Sequence, residues 1–195
     1  MFKEVEIKSL KAMFFTFFLF SFAIADKFDK CLWIQSDSMK EKESITNALF
    51  FAYEYEFDSV FLQVRSRGDA FYNSEIVPKN NFIEEDFDPL DYAITLGHSL
   101  GIEVHAWVNV YILWSSTYKP YSLNHLYYHY PDWLEVNVHG KSDANVDITV
   151  PQSKNWEGIF LSPNNPKVNS YLESVFFEII ENYCCKPLTN VEGRG

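Results

Sequence analysis

Short apolar runs alternate with segments of helical periodicity along this chain, and the alternation constrains its fold more than any other sequence feature. The apolar runs occupy residues 31–35, 60–65 and 103–109, and each has the length of a buried β-strand. A segment with helical spacing follows each run. Alternating strands and helices imply parallel strands joined by crossover helices, so the sequence predicts an α/β fold. A doubly wound sheet and a (β/α)8 barrel both fit this pattern.

Residue pairs typical of helix starts mark two of the helical segments. Asp88 and Asn165 each precede a proline, which is the arrangement of an N-cap followed by proline in the first helical position. Gly101 lies where the second helix should end. The last segment has the clearest apolar face, formed by Val168, Tyr171, Leu172, Val175, Phe176, Ile179, Ile180 and Tyr183. Residues 110–164 before it are polar and aromatic, and stretches of this length are usually functional or poorly ordered.

The composition argues against nucleic acid, nucleotides and metals. A net charge of −11 and a pI near 4.8 repel phosphate backbones, so no nucleic-acid partner is expected. No glycine-rich phosphate loop follows any predicted strand, which disfavours a nucleotide-dependent enzyme. The three cysteines, Cys31, Cys184 and Cys185, have the spacing of neither a disulfide framework nor a metal site. We therefore predict no cofactor and no metal.

The first 25 residues have the layout of a secretory signal. Lys3, Lys8 and Lys11 precede an uncharged apolar run over residues 13–25, which ends in small residues before Asp26. The alternative is a transmembrane anchor, but a span needs roughly 20 apolar residues. We predict that residues 1–25 are a cleaved signal, that the protein is secreted or periplasmic, and that no stable membrane anchor remains.

Side-chain alternation along the three strands predicts a pocket. Residues on one face of each strand are aliphatic and suited to packing under helices, as Val104, Ala106 and Val108 are in the third. The opposite face becomes polar toward the carboxyl end, where active sites of barrels lie. The residues predicted to converge there are Gln35, Gln63, Arg65, His105, Trp107 and Asn109. Each could be an ordinary core or surface residue, but their common parity across three strands favours the pocket.

Several segments also resemble a known family. Residues 61–72 resemble the second-strand signature of the glycosyl-hydrolase-like 10 family, bacterial envelope proteins with a glycosidase-type barrel. The resemblance continues in the same order through residues 87–94, 101–109, 130–134 and 160–168. Tyr130 stands where the family usually has His, and Ser162 stands where Asp is usual.

The resemblance implies a (β/α)8 barrel, of which residues 26–183 would form the N-terminal part with about three βα units. It further implies hydrolysis of glycosidic bonds in a polysaccharide, with a glycan as the partner. The substrate-binding residues expected on this basis are Gln63, Arg65, Asp69, His105, Trp107 and Asn109.

The sequence alone does not assign the catalytic carboxyl groups. Glycosidases place two of them on either side of the scissile bond, but Asp69, Glu103 and Asp132 form no convincing pair in the sequence. In the family, a fourth strand with acidic residues follows the last helix. Residues 184–195 lack both features, so we predict that this atypical tail is frame-shifted or truncated. A non-catalytic glycan-binding barrel is the alternative.

Overall fold

The computed structural model describes residues 29–150, 152 and 154–184. The predicted signal segment and residues 185–195 of the predicted tail lie outside the described residues. Among the helices that are described, none is long and apolar enough to cross a membrane.

Three parallel strands form the centre of the fold, at the three places that the sequence predicts. They are β1 (Cys31–Ile34), β2 (Ser59–Ser66) and β4 (Glu103–Val108). β2 lies between the other two, and Trp33, Phe61 and His105 are register partners across the sheet. All three therefore end at the same edge of the sheet.

Helices α1 (Lys42–Glu54) and α2 (Pro89–Ser99) connect these strands. The Asp88 side chain accepts hydrogen bonds from the backbone N–H groups of Leu90 and Asp91, both at 3.1 Å. Gly101 follows α2 with a φ of 73°, a left-handed conformation that glycine adopts without a Cβ penalty. The predicted signals at both ends of α2 are thus confirmed.

The outer face of β2 packs beneath α1 and α2. Val60, Leu62 and Val64 have no exposed surface, which confirms the predicted aliphatic face of this strand. They share one core with residues of the two helices, including Ile45, Leu49, Ala52, Leu90 and Ala93. Ala106 lies on the corresponding face of β4 but is exposed. The predicted packing of this face under helices is therefore incomplete on β4.

The described residues form an open sheet and no closed barrel. β1 and β4 pair with β2 but not with each other, and β3 (Asp69–Ala70) is a short antiparallel addition to the end of β2. A barrel closes only when a continuous ring of strands returns to the first, and three parallel strands are too few. The mixed α/β fold agrees with about three βα units, whereas the predicted (β/α)8 barrel itself is not observed in this part of the chain.

The long segment between β4 and the last helix is packed, with a small core of its own. β5 (Ile112–Trp114) pairs antiparallel with β6 (Ile159–Phe160). Between them lie the single-turn helix α3 (Leu126–His129) and two 3₁₀ turns, Pro131–Trp133 and Asp143–Asn145. Its buried side chains are Leu113, Trp114, Leu126, Trp133, Leu134, Ile148, Ile159 and Leu161.

Helix α4 (Pro166–Tyr183) joins the two cores. Val168 and Leu172 pack into the core of the long segment. Further along the same face, the core of the sheet takes up Val175, Ile179 and Tyr183. Phe176 and Ile180 are exposed, so the buried face of α4 is narrower than the sequence predicts.

Candidate functional site

A tight turn at the carboxyl end of β2 organises the site. Arg67 and Gly68 connect β2 to β3, with φ angles of 53° and 74°. Positive φ at both central residues is characteristic of the type I′ turn, which suits two-residue hairpins. Glycine adopts this conformation readily, whereas for Arg67 it costs about 1–2 kcal/mol. The hairpin places Asp69 and Arg67 at the edge of the sheet where β1 and β2 end.

His125 of the long segment fastens this turn. Its side chain is fully buried, and the backbone N–H of Tyr127 donates to its Nδ1 at 3.1 Å. The hydrogen is therefore on Nε2, which donates to the carbonyl oxygen of Arg67 at 2.8 Å. A Cβ atom on Gly68 would lie only 2.5 Å from His125 Nε2, so glycine permits this approach. Burial lowers the pKa of His125 to about 4, which keeps the ring neutral.

Asp69 is the buried carboxyl group of the site. Its Oδ2 accepts a hydrogen bond from Asn80 Nδ2 at 3.0 Å, and its Oδ1 lies 4.0 Å from His125 Nε2. Burial raises the pKa of Asp69 to about 6, against the opposing effects of the Asn80 hydrogen bond and the charges of Arg65 and Arg67. A carboxyl group with this pKa holds its proton in mildly acidic solution.

A cleft opens beside Asp69, and we call it the strand-end cleft. It lies between the 3₁₀ turn Ser36–Met39 after β1, the Arg67–Gly68 turn and the start of the long segment. Lys40 Nζ pairs with Asp37 Oδ1 at 2.6 Å, and this hydrogen bond and charge lower the pKa of Asp37. The two carboxyl groups of the cleft therefore have pKa values displaced in opposite directions.

Aromatic side chains line the other side of the strand-end cleft. Phe82 and Tyr121 are largely exposed, at 61% and 81%. Tyr118 is also exposed, and its carbonyl oxygen accepts a hydrogen bond from the indole N–H of Trp114 at 2.6 Å. Exposed ring faces beside polar groups suit a sugar, which presents both C–H and O–H groups.

Two of the predicted site residues, Gln63 and Arg65, are engaged inside the protein. Gln63 Oε1 accepts from the backbone N–H of Ser36 at 3.1 Å and so holds the loop after β1. Arg65 is fully buried, and its Nη1 donates to the carbonyl oxygens of Asn109 and Val110. Among the described residues, no hydrogen-bond partner lies at its Nε and Nη2 atoms.

The other predicted site residues on β4 and just after it, His105, Trp107 and Asn109, lie at different heights along the strand. His105 stacks on Phe61 with ring centroids 4.8 Å apart, and Phe61 stacks on Trp33 at the same separation. This row lies on the predicted inner face, and its members Phe61 and His105 lie five and three residues before the ends of β2 and β4. Trp107 is the register partner of Gln63, and the backbone N–H of Asn109 donates to Arg65. The structure thus groups Gln63, Arg65, Trp107 and Asn109 near the strand ends, with His105 further down the sheet.

Several residues of the candidate site were not predicted from the sequence. His125, Asn80 and Tyr121 lie in segments without periodicity, so no sequence pattern marked them. Asp37 follows the first strand by three residues, and the position of strand ends could have identified it. Within the described ranges, no three His, Cys, Asp or Glu side chains are grouped so as to hold a metal ion.

Comparison with known proteins gives the family. The sequence model of the glycosyl hydrolase-like 10 family matches residues 23–188. This chain belongs to that family. The matched range includes all of the strand-end cleft, and the signature over residues 61–72 corresponds to β2, the Arg67–Gly68 turn and β3.

Curated relatives and a solved structure are similar to this chain over most of its length. Glycosyl hydrolase DigH of Escherichia coli K12 and that of Shigella flexneri are each 23% identical to it. The alignment covers 73% of this chain but 32% of each relative, so the chain spans about a third of their length. A crystal structure of a hypothetical protein from Ruminiclostridium thermocellum shares the fold, with a TM-score of 0.52 at 17% identity. That match covers 77% of this chain and 70% of the other.

A larger groove of about 830 Å³ lies elsewhere, between α4 and residues 73–76. Its carboxylate Glu178 accepts hydrogen bonds from Ser74 Oγ and the backbone N–H of Glu75. Through these bonds Glu178 attaches α4 to residues 73–76. The strand-end cleft is the better candidate, since active sites of folds with parallel strands lie at the carboxyl ends of those strands.

Proposed function

We propose that this protein is an exported glycoside hydrolase that cleaves glycosidic bonds of a polysaccharide in the strand-end cleft. The observation that carries the proposal is the position of Asp69, a buried carboxyl group that lines the same cleft as three exposed aromatic rings, where β1 and β2 end. Membership of the glycosyl hydrolase-like 10 family supports the same reaction class.

The cleft offers the two kinds of contact that a sugar requires. The rings of Phe82, Tyr118 and Tyr121 provide apolar faces for the C–H groups of a pyranose. The guanidinium of Arg67, held at Nε by the hydroxyl of Ser115 at 2.9 Å, provides donors for sugar oxygens. A polysaccharide chain lying across the strand ends would contact both sides of the cleft.

A glycan-binding protein without hydrolytic activity is the second candidate. It is favoured by the internal hydrogen bonds of Gln63 and Arg65, which leave fewer polar groups to act on a substrate. The two candidates share the cleft and differ in chemistry alone, so the release of reducing ends separates them.

The test combines binding and hydrolysis on the same purified protein. We expect a panel of soluble bacterial and plant polysaccharides to include one that binds and releases reducing ends. Tyr121→Ala should weaken its binding by roughly two- to tenfold, the equivalent of a lost aromatic contact of about 0.5–1.5 kcal/mol. Tyr53→Ala is the matched control, because Tyr53 is an exposed tyrosine of α1 that lies outside the cleft. Binding without reducing ends would favour the second candidate, and no binding would contradict both.

Export is the other part of the proposal. It rests on the apolar run of residues 13–25 and the small residues before Asp26. We expect the mature protein to begin at Asp26 and to be found outside the cytoplasm, as N-terminal sequencing of the exported fraction would show. Recovery of intact Met1 in a membrane fraction would contradict this.

A further inference from the structure

We infer that Asp69 is the catalytic acid of the strand-end cleft and donates its proton to the glycosidic oxygen of the bound polysaccharide. This assignment rests on the proposed hydrolytic function and adds a role for one residue. Three structural observations carry it: the depth of the carboxyl group, the direction of the neighbouring cations, and the hydrogen bonding of its two oxygens.

The first observation is the position of Asp69. It lines the cleft, although only 8% of its surface is exposed. Asp37 lines the same cleft, but its side chain is 84% exposed and is paired with Lys40. A proton donor must be shielded from water and still reach the substrate, and of these two carboxyl groups only Asp69 meets that condition.

The second observation is that both nearby arginines are bonded elsewhere. Arg65 and Arg67 lie four and two residues before Asp69, yet neither forms a salt bridge with it among the described residues. The Arg65 guanidinium donates to backbone carbonyls at the end of β4, and Arg67 Nε donates to Ser115. An arginine paired directly with Asp69 would hold it ionised and unable to donate a proton.

The third observation is that a hydrogen bond holds one oxygen of the carboxyl group, while the other accepts no hydrogen bond among the described residues. Asn80 donates to Oδ2, while Oδ1 faces the neutral ring of His125, whose Nε2 hydrogen is directed to the Arg67 carbonyl. The proton of Asp69 therefore belongs on Oδ1, because Oδ2 already accepts a hydrogen bond. Because burial raises the pKa of Asp69 to about 6, the group keeps this proton until the pH approaches that value.

The O–H bond of Asp69 breaks as its proton passes to the glycosidic oxygen, and the bond between that oxygen and the anomeric carbon breaks with its electron pair left on oxygen. Water adds to the anomeric carbon, and the proton that water loses replaces the one that Asp69 donated. No oxidant or metal is required.

The experiment is the variant Asp69→Asn, which preserves the size of the side chain and its acceptor for Asn80 but removes the proton. Cleavage of the responsive polysaccharide should fall by at least about 100-fold, with its binding nearly unchanged. Activity on a dinitrophenyl glycoside should be largely retained, because that leaving group departs without protonation. Asp86→Asn is the control, since Asp86 is an exposed carboxylate outside the cleft, and its activity should equal that of the unmodified protein.

A second measurement does not depend on the variant. A carbon-13 NMR titration should give Asp69 a pKa near 6, and cleavage should decline as the pH rises through that value. The groups that face Asp69 are Arg65, Arg67 and neutral His125, with the Asp37–Lys40 pair on the same cleft.

The outcomes separate the two levels of the proposal. If Asp69→Asn cleaves the polysaccharide at the original rate, or Asp69 titrates near 4, the acid is another group and the hydrolytic function stands. If the unmodified protein cleaves no polysaccharide, the proposed function fails and the role of Asp69 fails with it.

Discussion

The two cores of this protein were built by different kinds of sequence. The core beneath the parallel sheet comes from strands and helices whose periodicity is visible in the sequence, and Leu62 lies at its centre. The core of the long segment is built around Trp114, Trp133 and Leu161, with little regular secondary structure. Both exclude solvent equally well, since Leu62 and Leu161 are each fully buried. Regular periodicity is therefore sufficient for a packed core but not necessary.

The difference matters for the site because the strand-end cleft lies where the two cores meet. Asp69 and Arg67 belong to the hairpin at the end of the sheet, whereas His125 and Tyr121 belong to the long segment. Helix α4 and the contact between Gly68 and His125 join them. Three predictions compare how much each core contributes to the free energy of unfolding and how strongly the two regions depend on each other.

The largest effects should come from truncating the two buried leucines. Leu62→Ala and Leu161→Ala should each lower the free energy of unfolding by about 2–5 kcal/mol, because each leaves a cavity in a packed core. Urea denaturation measures both, with Leu123→Ala as control, since Leu123 is 73% exposed. A loss below about 1 kcal/mol for Leu161→Ala would mean that the irregular region is not a packed core.

The second prediction concerns the opposite pH dependences of His125 and Asp69. The pKa of His125 is lowered from 6.5 to about 4, so the unfolded chain binds more protons and stability falls as the pH drops from 6.5 to 4. The pKa of Asp69 is raised from 3.8 to about 6, so its contribution is lost as the pH rises from 3.8 to 6. Each effect is on the order of 3 kcal/mol, and between pH 4 and 6 they oppose each other.

Single variants should separate these opposing effects. In Asp69→Asn only the effect of His125 on the pH dependence of stability remains, so the melting temperature of this variant should fall on acidification from pH 6.5 to 4. His125→Gln leaves the Asp69 dependence, so its melting temperature should rise over the same change. Melting curves at four pH values suffice, and the same slope in both variants would show that other groups dominate.

The third and smallest effect concerns the contact that joins the two regions. Gly68→Ala places a Cβ atom 2.5 Å from His125 Nε2 and 2.9 Å from Leu113 Cδ1, and overpacking of this kind costs about 1–3 kcal/mol. Gly140→Ala is the matched control, because Gly140 has a similar φ of 76° but no atom within 4 Å of the added Cβ. The difference between the two free energies of unfolding isolates the contact. Equal losses would mean that the turn and His125 can separate at little cost.

Most of the regular core could be predicted from local signals. The alternation of strands and helices, the cap at Asp88 and the aliphatic face of β2 all depend on residues close together in sequence. The apolar face of α4 was overestimated, because Phe176 and Ile180 have the right spacing but no neighbour among the described residues covers them. Spacing shows which residues can be buried together, and packing decides which of them are.

For the candidate site, the parity of the strands placed Gln63, Arg65, Trp107 and Asn109 near one another, but it did not indicate their partners. The hydrogen bonds of Arg65 to the carbonyls after β4, and of Gln63 to Ser36, depend on the register of neighbouring strands. A residue's parity is a local property, whereas its hydrogen-bond partner is set by the neighbouring chain.

The sequence by itself determined the family and the order of the βα units, because these follow from motifs and from alternation along the chain. Only the tertiary structure decided that Asp69 is buried with no cationic partner among the described residues, since its environment comes from residues 11 and 56 positions away, Asn80 and His125. Desolvation depends on what packs around a group in space, and no local pattern records it. The raised pKa of Asp69 is therefore a consequence of the tertiary structure.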